Sequence, residues 1–182
     1  MTTAVVSPWR NRAIGLAVAL VIFVIDQGIK IWVDKGLDLY NVRVVDVLPF
    51  FDFRWTENYG VSLGLLTAGS IEMRMLLIAF TGAIGLFVAG WMLREKLLGD
   101  VLPLALVLGG ALGNIRDRWE HGFVIDYADL HFGDFRPFLI FNFADAAITI
   151  GVVIILARSL LSREKPDESV PSETSPASGD LR

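Results

Sequence analysis

Asp145 is the only charged residue between Arg136 and Arg158, inside a stretch otherwise apolar enough to cross a membrane. An ionised carboxylate in hydrocarbon costs roughly 2.5–3.5 kcal/mol on insertion scales. Either a partner compensates it or the residue acts. A second carboxylate, Asp126, stands in the same run, residues 124–148 (VIDYADLHFGDFRPFLIFNFADAAI), again among apolar neighbours. A fold that accommodates this run must be a membrane fold, and it must bring these acids to partners.

Composition agrees. The 182 residues are 54% hydrophobic, with a mean hydropathy of +0.56, too apolar for an ordinary soluble domain. The net charge of −4 gives no basic surface for nucleic acid. The absence of cysteine excludes disulfides, cysteine zinc sites and a cysteine nucleophile. Arg10 and Arg12 precede an apolar run, but no small-residue cleavage site follows it. The run continues through Asp26-Gln27 to Ile31, Trp32 and Val33, and is read as a retained first span.

Four segments qualify as spans, at about residues 12–33, 73–93, 100–119 and 138–161. An even number returns both termini to one side. Arg10 and Arg12, Arg94 and Lys96, and Arg158, Arg163 and Lys165 all fall on that side, which the positive-inside rule makes cytoplasmic. Lys35, Arg43, Arg54 and Arg136 temper the bias without reversing it.

In the outer segment, residues 36–69, Val42, Val44 and Val47 suggest one strand. Phe51 to Thr56 alternates aromatic with polar side chains and suggests another, with Leu48-Pro49-Phe50 as the bend. A small antiparallel sheet at the interface follows. Ser70 is a candidate N-cap for the second span, with Glu72 in its first turn. Residues 164–182, rich in proline, serine and acid, read as a disordered cytoplasmic tail. Residues 1–163 form the membrane domain.

On this topology the polar outliers collect at one membrane face. They are Asp26, Gln27 and Lys30, then Asn58, then Asn114, Asp117 and Arg118, and finally Asp126, Asn142 and Asp145. Such clustering is what an active site needs. Simpler roles compete at several positions. Asp26 and Lys30, four apart, neutralise each other. The glycines of residues 109–113 suit close helix packing. Arg118 either snorkels, pairs locally or binds substrate. His121 and His131 read as loop residues, and no HExxH-like spacing supports a metal.

The missing groups narrow the hydrolytic chemistry. No serine stands near a histidine in a recognisable motif, so two acids remain. Two carboxylates sharing one proton can hold and activate a water against a peptide bond, and their proximity raises one pKa. Asp126, on a loop, and Asp145, at a helix start, are 19 residues apart.

At these residues the chain resembles the bacterial signal peptidase II (lipoprotein signal peptidase) family. Five blocks match in order. They are Asp26-Gln27-Gly28-Ile29-Lys30 (DQxxK), Asn58-Tyr59-Gly60-Val61-Ser62 (NxGxx), residues 109–118 (GGALGNIRDR), Val124-Ile125-Asp126-Tyr127, and Phe141-Asn142-Phe143-Ala144-Asp145 (FNxAD). The resemblance covers the membrane domain and not the tail. It implies four transmembrane helices, a small extracytoplasmic antiparallel β-sheet and a loop helix over the site. It also implies an aspartic endopeptidase of the cytoplasmic (inner) membrane, with its active site at the outer face. That enzyme cuts prolipoproteins before a lipobox cysteine already carrying diacylglycerol. By motif, the catalytic pair falls on Asp126 and Asp145. Substrate-binding or supporting positions fall on Asp26, Lys30, Asn58, Gly60, Gly113, Asn114, Arg118 and Asn142, and Asp117 joins them from its place in the cluster. No metal or organic cofactor is expected. Membrane lipid is a partner, globomycin-type cyclic peptides are expected inhibitors, and the chain is expected to be a monomer.

Three positions depart from the family pattern. Leu63 replaces an expected aromatic residue, Arg116 adds a charge inside GNxxDR, and the loop 131–139 is longer than usual. Two rival readings compete with a peptidase. A proton- or cation-conducting transporter wants acids along a path across the bilayer. A non-enzymatic membrane subunit leaves Asp145 unexplained.

Overall fold

The computed structural model describes residues 7–60 and 70–162. Leu63, Arg163, Lys165 and the acidic tail lie outside the described residues. The chain runs α1 (Pro8–Ile31), α2 (Leu39–Val42), β1 (Val44–Leu48), β2 (Phe51–Asn58), α3 (Ile71–Arg94), α4 (Leu98–Glu120), β3 (Val124–Leu130) and α5 (Phe143–Ser162). Four helices are long and apolar enough to span a membrane: Pro8–Gly36, Ile71–Arg94, Leu98–Glu120 and Phe143–Leu161.

α4 is the centre of the bundle. Over its most apolar stretch 56% of the residues are buried, against 28% or less in the other three spans. It packs on α1, α3 and α5. Its glycines make that possible. A Cβ on Gly109 would sit 2.5 Å from the Ala19 carbonyl of α1, and one on Gly110 would sit 2.5 Å from the Ala144 carbonyl of α5. With no hydrophobic drive between helices in lipid, close backbone approach is what gives the bundle its contacts. Leu86, Phe87, Val153, Leu156 and Leu160 stay exposed, as residues facing lipid do.

α1 ends in a widened π-turn, Trp32–Gly36. Asp38 and Arg43, both at positive φ, bracket the one-turn α2 that leads into the sheet. Residues 61–69 are not described, and α2 is the only described helix between the first two spans. Ser70 caps α3 as expected, its hydroxyl accepting the Met73 N–H at 3.2 Å.

The sheet is antiparallel, in the order β1-β2-β3. The β1–β2 hairpin lies where the alternation places it, with the bend at Pro49-Phe50. A bulge between Phe53 and Thr56 interrupts the pairing of β2 with β3. β3 corrects the sequence reading, because Asp126 lies on a strand and not on a loop. Thr56 is its partner across the sheet. Six of the seven β3 residues are buried, and that burial on both faces erases the alternation that would have announced the strand. Tyr127, Ile125 and Ala128 join Val33, Leu39 and Trp55 in a small core that ties the sheet to the end of α1.

The fourth helix also begins later than its expected start near residue 138. Phe141 is extended and bridges Ala128, with hydrogen bonds of 2.8 and 3.1 Å, and α5 starts at Phe143. Asp145 is therefore in the first turn of the helix.

Candidate active site

Four chain segments converge at the sheet end of the bundle. They are the ends of α1 and α4, the start of β3, and the start of α5. Each holds its functional side chains by local geometry.

The FNxAD block is a helix start. Asn142 is the N-cap of α5, and its Oδ1 accepts the Asp145 N–H at 3.0 Å. Asp145 returns the bond, its Oδ2 accepting the Asn142 N–H at 3.2 Å. This is a capping box, with an aspartate in the place usually held by Glu or Gln. The box fixes the Asp145 side chain in a nearly lipid-level position without burying it unpaired. Tyr127 supports the same turn, its hydroxyl accepting the Phe143 N–H at 3.1 Å.

Asn142 also couples the two carboxylates. Its Nδ2 donates to Asp126 Oδ1 at 2.6 Å and to Asn114 Oδ1 at 3.3 Å. Asn114 Nδ2 donates to Asp145 Oδ1 at 2.8 Å. On its other oxygen, Asp126 accepts Asn58 Nδ2 at 2.9 Å. Gly60 sets that amide's orientation. Its N–H donates to Asn58 Oδ1 at 2.9 Å, and the turn needs φ of +87°, which favours glycine. Asp126 and Asp145 thus belong to one hydrogen-bonded unit, and every donor to the two carboxylates among the described residues is an amide.

Asp126 is 2% exposed. Burial first, and the neighbouring Asp145 charge second, push its carboxyl up to about 7 against the opposing bonds from Asn58 and Asn142.

Beneath this layer lies a buried ionic one. Lys30 Nζ contacts Asp26 Oδ2 at 2.9 Å and Asp117 Oδ2 at 2.7 Å, and it donates to Asn114 Oδ1 at 3.2 Å. The expected Asp26–Lys30 pair exists, but Lys30 is shared with a second acid. Gln27 Nε2 bridges Asp26 Oδ2 at 3.0 Å and Asp117 Oδ1 at 3.1 Å, and Arg116 donates to Gln27 Oε1. Asp26 Oδ1 accepts the Ala144 N–H at 3.1 Å, at the start of α5. Asp117 Oδ2 accepts the Ile125 N–H at 3.2 Å, at the start of β3. The two acids therefore anchor the elements that bear Asp145 and Asp126. Gly113 is required here, because a Cβ would run into Asp26 Oδ2.

Arg118 donates to the Asn114 carbonyl at 3.5 Å, and its charge faces Asp145, Asp126 and Asp117. Its Nε is buried and has no partner among the described residues. The histidines stand apart. His121 stacks on Phe123, and His131 Nε2 lies 2.9 Å from Asp52 Oδ2.

Every sequence-predicted site residue belongs to this cluster. Three working parts carry roles that the sequence did not assign. Gln27 links the two buried acids, Arg116 holds Gln27, and Tyr127 receives the first N–H of α5. Gln27 and Tyr127 lie inside matching blocks, and that adjacency was the available signal. The contact of Arg116 with Gln27 crosses two helices and leaves no trace in local sequence.

Comparison with known proteins adds an independent line. The family model described as Peptidase_A8, Signal peptidase (SPase) II, matches residues 18–161. The chain is 49% identical over 164 residues to a lipoprotein signal peptidase of Rhizorhabdus wittichii, covering 90% of this chain and 93% of that protein. It is 49% identical over 155 residues to one of Sphingopyxis alaskensis, covering 85% and 90%. A solved bacterial membrane enzyme superposes with a TM-score of 0.72 at 25% identity, covering 87% of this chain and 95% of that one.

Proposed function

The chain belongs to the signal peptidase II family, a multi-pass membrane peptidase acting on prolipoproteins, and from that premise we propose that Asp126 and Asp145 are the groups that cut the bond. One observation carries the assignment. Asn142 and Asn114 hold the two carboxyls in a single hydrogen-bonded unit.

The roles follow from who holds the proton. Asp126, with its raised pKa, is the acid, and Asp145 is the base. Asp145 takes a proton from a water as the water's oxygen attacks the scissile carbonyl. Asp126 donates its proton to the carbonyl oxygen, giving a neutral tetrahedral diol. Collapse of the diol breaks the C–N bond. The proton on Asp145 passes to the leaving amine, and the diol hydroxyl returns its proton to Asp126. The pair ends with the one proton it began with. Arg118, whose charge faces both Asp145 and Asp126, is assigned to binding the substrate beside them. Lys30, Asp26, Asp117, Gly113 and Gly60 hold the geometry, and Asn58, Asn114 and Asn142 orient the carboxyls.

The substrate we assign is a prolipoprotein whose lipobox cysteine carries diacylglycerol, cut just before that cysteine. Globomycin-type cyclic peptides would compete for the space at the aspartates. The protein acts as a monomer in the inner membrane, with both termini cytoplasmic and the site at the outer face. Arg10, Arg12, Arg94, Lys96 and Arg158 at the end opposite the sheet support that orientation.

The test is cleavage of a diacylglyceryl-modified prolipoprotein by purified protein in detergent, wild type beside Asp145→Asn. Cleavage before the lipidated cysteine, lost in the variant, is the expected result. Full activity in the variant sinks the dyad, and no cleavage by folded wild type sinks the substrate assignment.

A further inference from the structure

Two clefts open beside the aspartates, and the same two residues stand between them. The larger, about 690 Å³, runs past Asp126 between Asn58 on β2 and the segment from Arg136 to Ile140. The smaller, about 340 Å³, starts at Asp145 and follows α5 past Ala146, Thr149 and Ile150. Phe138 and Leu139 line both.

The clefts differ in chemistry. Thr56, Glu57, Asn58 and Arg136 bring polar groups into the larger one, whose walls are otherwise mostly apolar. In the smaller one every lining side chain except Asp145 and Thr149 is apolar. It opens along a helix face where Ile150, Val153 and Leu156 are more than half exposed, the face that meets lipid in a bilayer.

The dividing segment is pinned and yet bare at its tip. Arg136 Nε reaches Asp129 Oδ1 at 3.1 Å, beside Arg54 at 2.8 Å from the other oxygen. Phe141 is bridged to Ala128 on the far side. Between these anchors Phe138 is 64% exposed and Leu139 is 91% exposed.

A substrate with a lipid on its cysteine branches at the bond to be cut. The polypeptide runs through the scissile peptide, and the acyl chains leave sideways from the adjacent side chain. Two clefts that diverge from one carboxylate pair, one bearing a set of polar side chains and one almost wholly apolar, match that branching. We propose that Phe138 and Leu139 form a partition that sorts such a substrate. The acyl chain lies in the α5 cleft beside Thr149 and Ile150, and the peptide lies in the cleft beside Asn58. The inference rests on the reading that the substrate carries a diacylglyceryl cysteine.

The apolar cleft supplies register rather than affinity, because the surrounding lipid is as apolar as its walls. From Asp145 to Ile150 the helix rises roughly 7–8 Å, enough to align the first few methylenes of a chain with the aspartates. Misalignment there moves the scissile carbonyl, and displacement of about 1 Å can slow a reaction by two orders of magnitude.

The experiment uses wild-type protein and a prolipoprotein whose acyl chains carry a diazirine near the glycerol end. The sample is split, with half photolysed at once and mapped by mass spectrometry, and half assayed for cleavage. Label on Ala146, Thr149 or Ile150 is the expected result. Label on the Asn58 side, on α1 or on α3 overturns the partition, whether or not cleavage occurs. Cleavage itself reports on the peptidase reading, so the two fail separately. A second measurement fills the cleft. Thr149→Trp, with thermal unfolding unchanged, should slow cleavage of the lipidated substrate about tenfold or more. Unaltered cleavage by that variant also overturns the proposal.

Discussion

Asp126 holds a conflict between function and stability that can be measured. The native carboxyl binds a proton that the unfolded chain has already lost between pH 3.8 and about 7. Stability therefore falls as pH rises through that window, and the penalty is fully present above pH 7. A shift of about three units sets a ceiling of about 4 kcal/mol on the penalty. Asp126→Asn removes the charge but leaves one amide donor, from Asn58 or Asn142, facing another amide. The gain is expected below that ceiling. The variant should melt higher than wild type at pH 8, with the difference closing towards pH 4, and it should be inactive. Equal melting temperatures at pH 8 would mean that the carboxylate is not penalised in the fold. The rate has its own pH signature. With Asp126 as the acid, kcat/KM should decline as pH rises above about 7, and decline again in acid as the pair takes a second proton. A flat profile, with chemistry limiting, contradicts the shared proton. At this scale the sequence was most legible, because an unpaired acid in an apolar run admits few explanations. The hydrogen bonds that set its pKa were not, because Asn58 and Asn114 meet these acids only through the fold.

The start of α5 separates two jobs that one side chain performs. Asn142 caps the helix through Oδ1 and links the carboxyls through Nδ2. Asn142→Ser keeps a capping oxygen and removes the bridging amide. It should stay close to wild type in stability and lose activity. Asn142→Ala loses both and should also unfold more easily, by roughly 0.5–2 kcal/mol. Serine restoring activity would show that capping alone is the function of Asn142. The α4 interface gives a companion case. A Cβ at Gly110 meets the Ala144 carbonyl, one residue before Asp145, so Gly110→Ala should push α5 and its aspartate away together. Roughly 1–3 kcal/mol of stability and most of the activity should be lost, read by unfolding and by cleavage. The sequence yielded the long helices and the β1–β2 hairpin, since lipid-facing runs and strict alternation are strong periodic signals. It did not yield β3 or the true start of α5. Both are governed by what packs on them. β3 is buried on both faces, and Phe141 and Asn142 are held out of the helix by Ala128 and by the cap rather than by their own sequence character.

Across the whole molecule the polar chemistry lies at one end. Lys30, Asp117, Asp126 and Asp145 gather by the sheet, while the opposite end carries Arg94, Lys96 and the Arg158–Asp100 pair. A conducting path needs titratable groups through the bilayer, and α4, which lines the core, offers Val101, Leu104, Ala105 and Leu108 in its buried first half. That dryness weighs against the transporter reading. It also makes orientation decisive, since a peptidase for exported precursors must present its acids outside. The chain has no cysteine, so single cysteines report without a background. Asp134→Cys lies on the exposed loop beside the sheet, and Leu97→Cys lies on the exposed link between α3 and α4. In intact spheroplasts a membrane-impermeant maleimide should label Asp134→Cys at once and Leu97→Cys only after lysis. The reverse pattern would put the aspartates inside and remove the precursors from reach. Removal of residues 166–182, a sequence rich in proline, serine and acid, should leave cleavage unchanged.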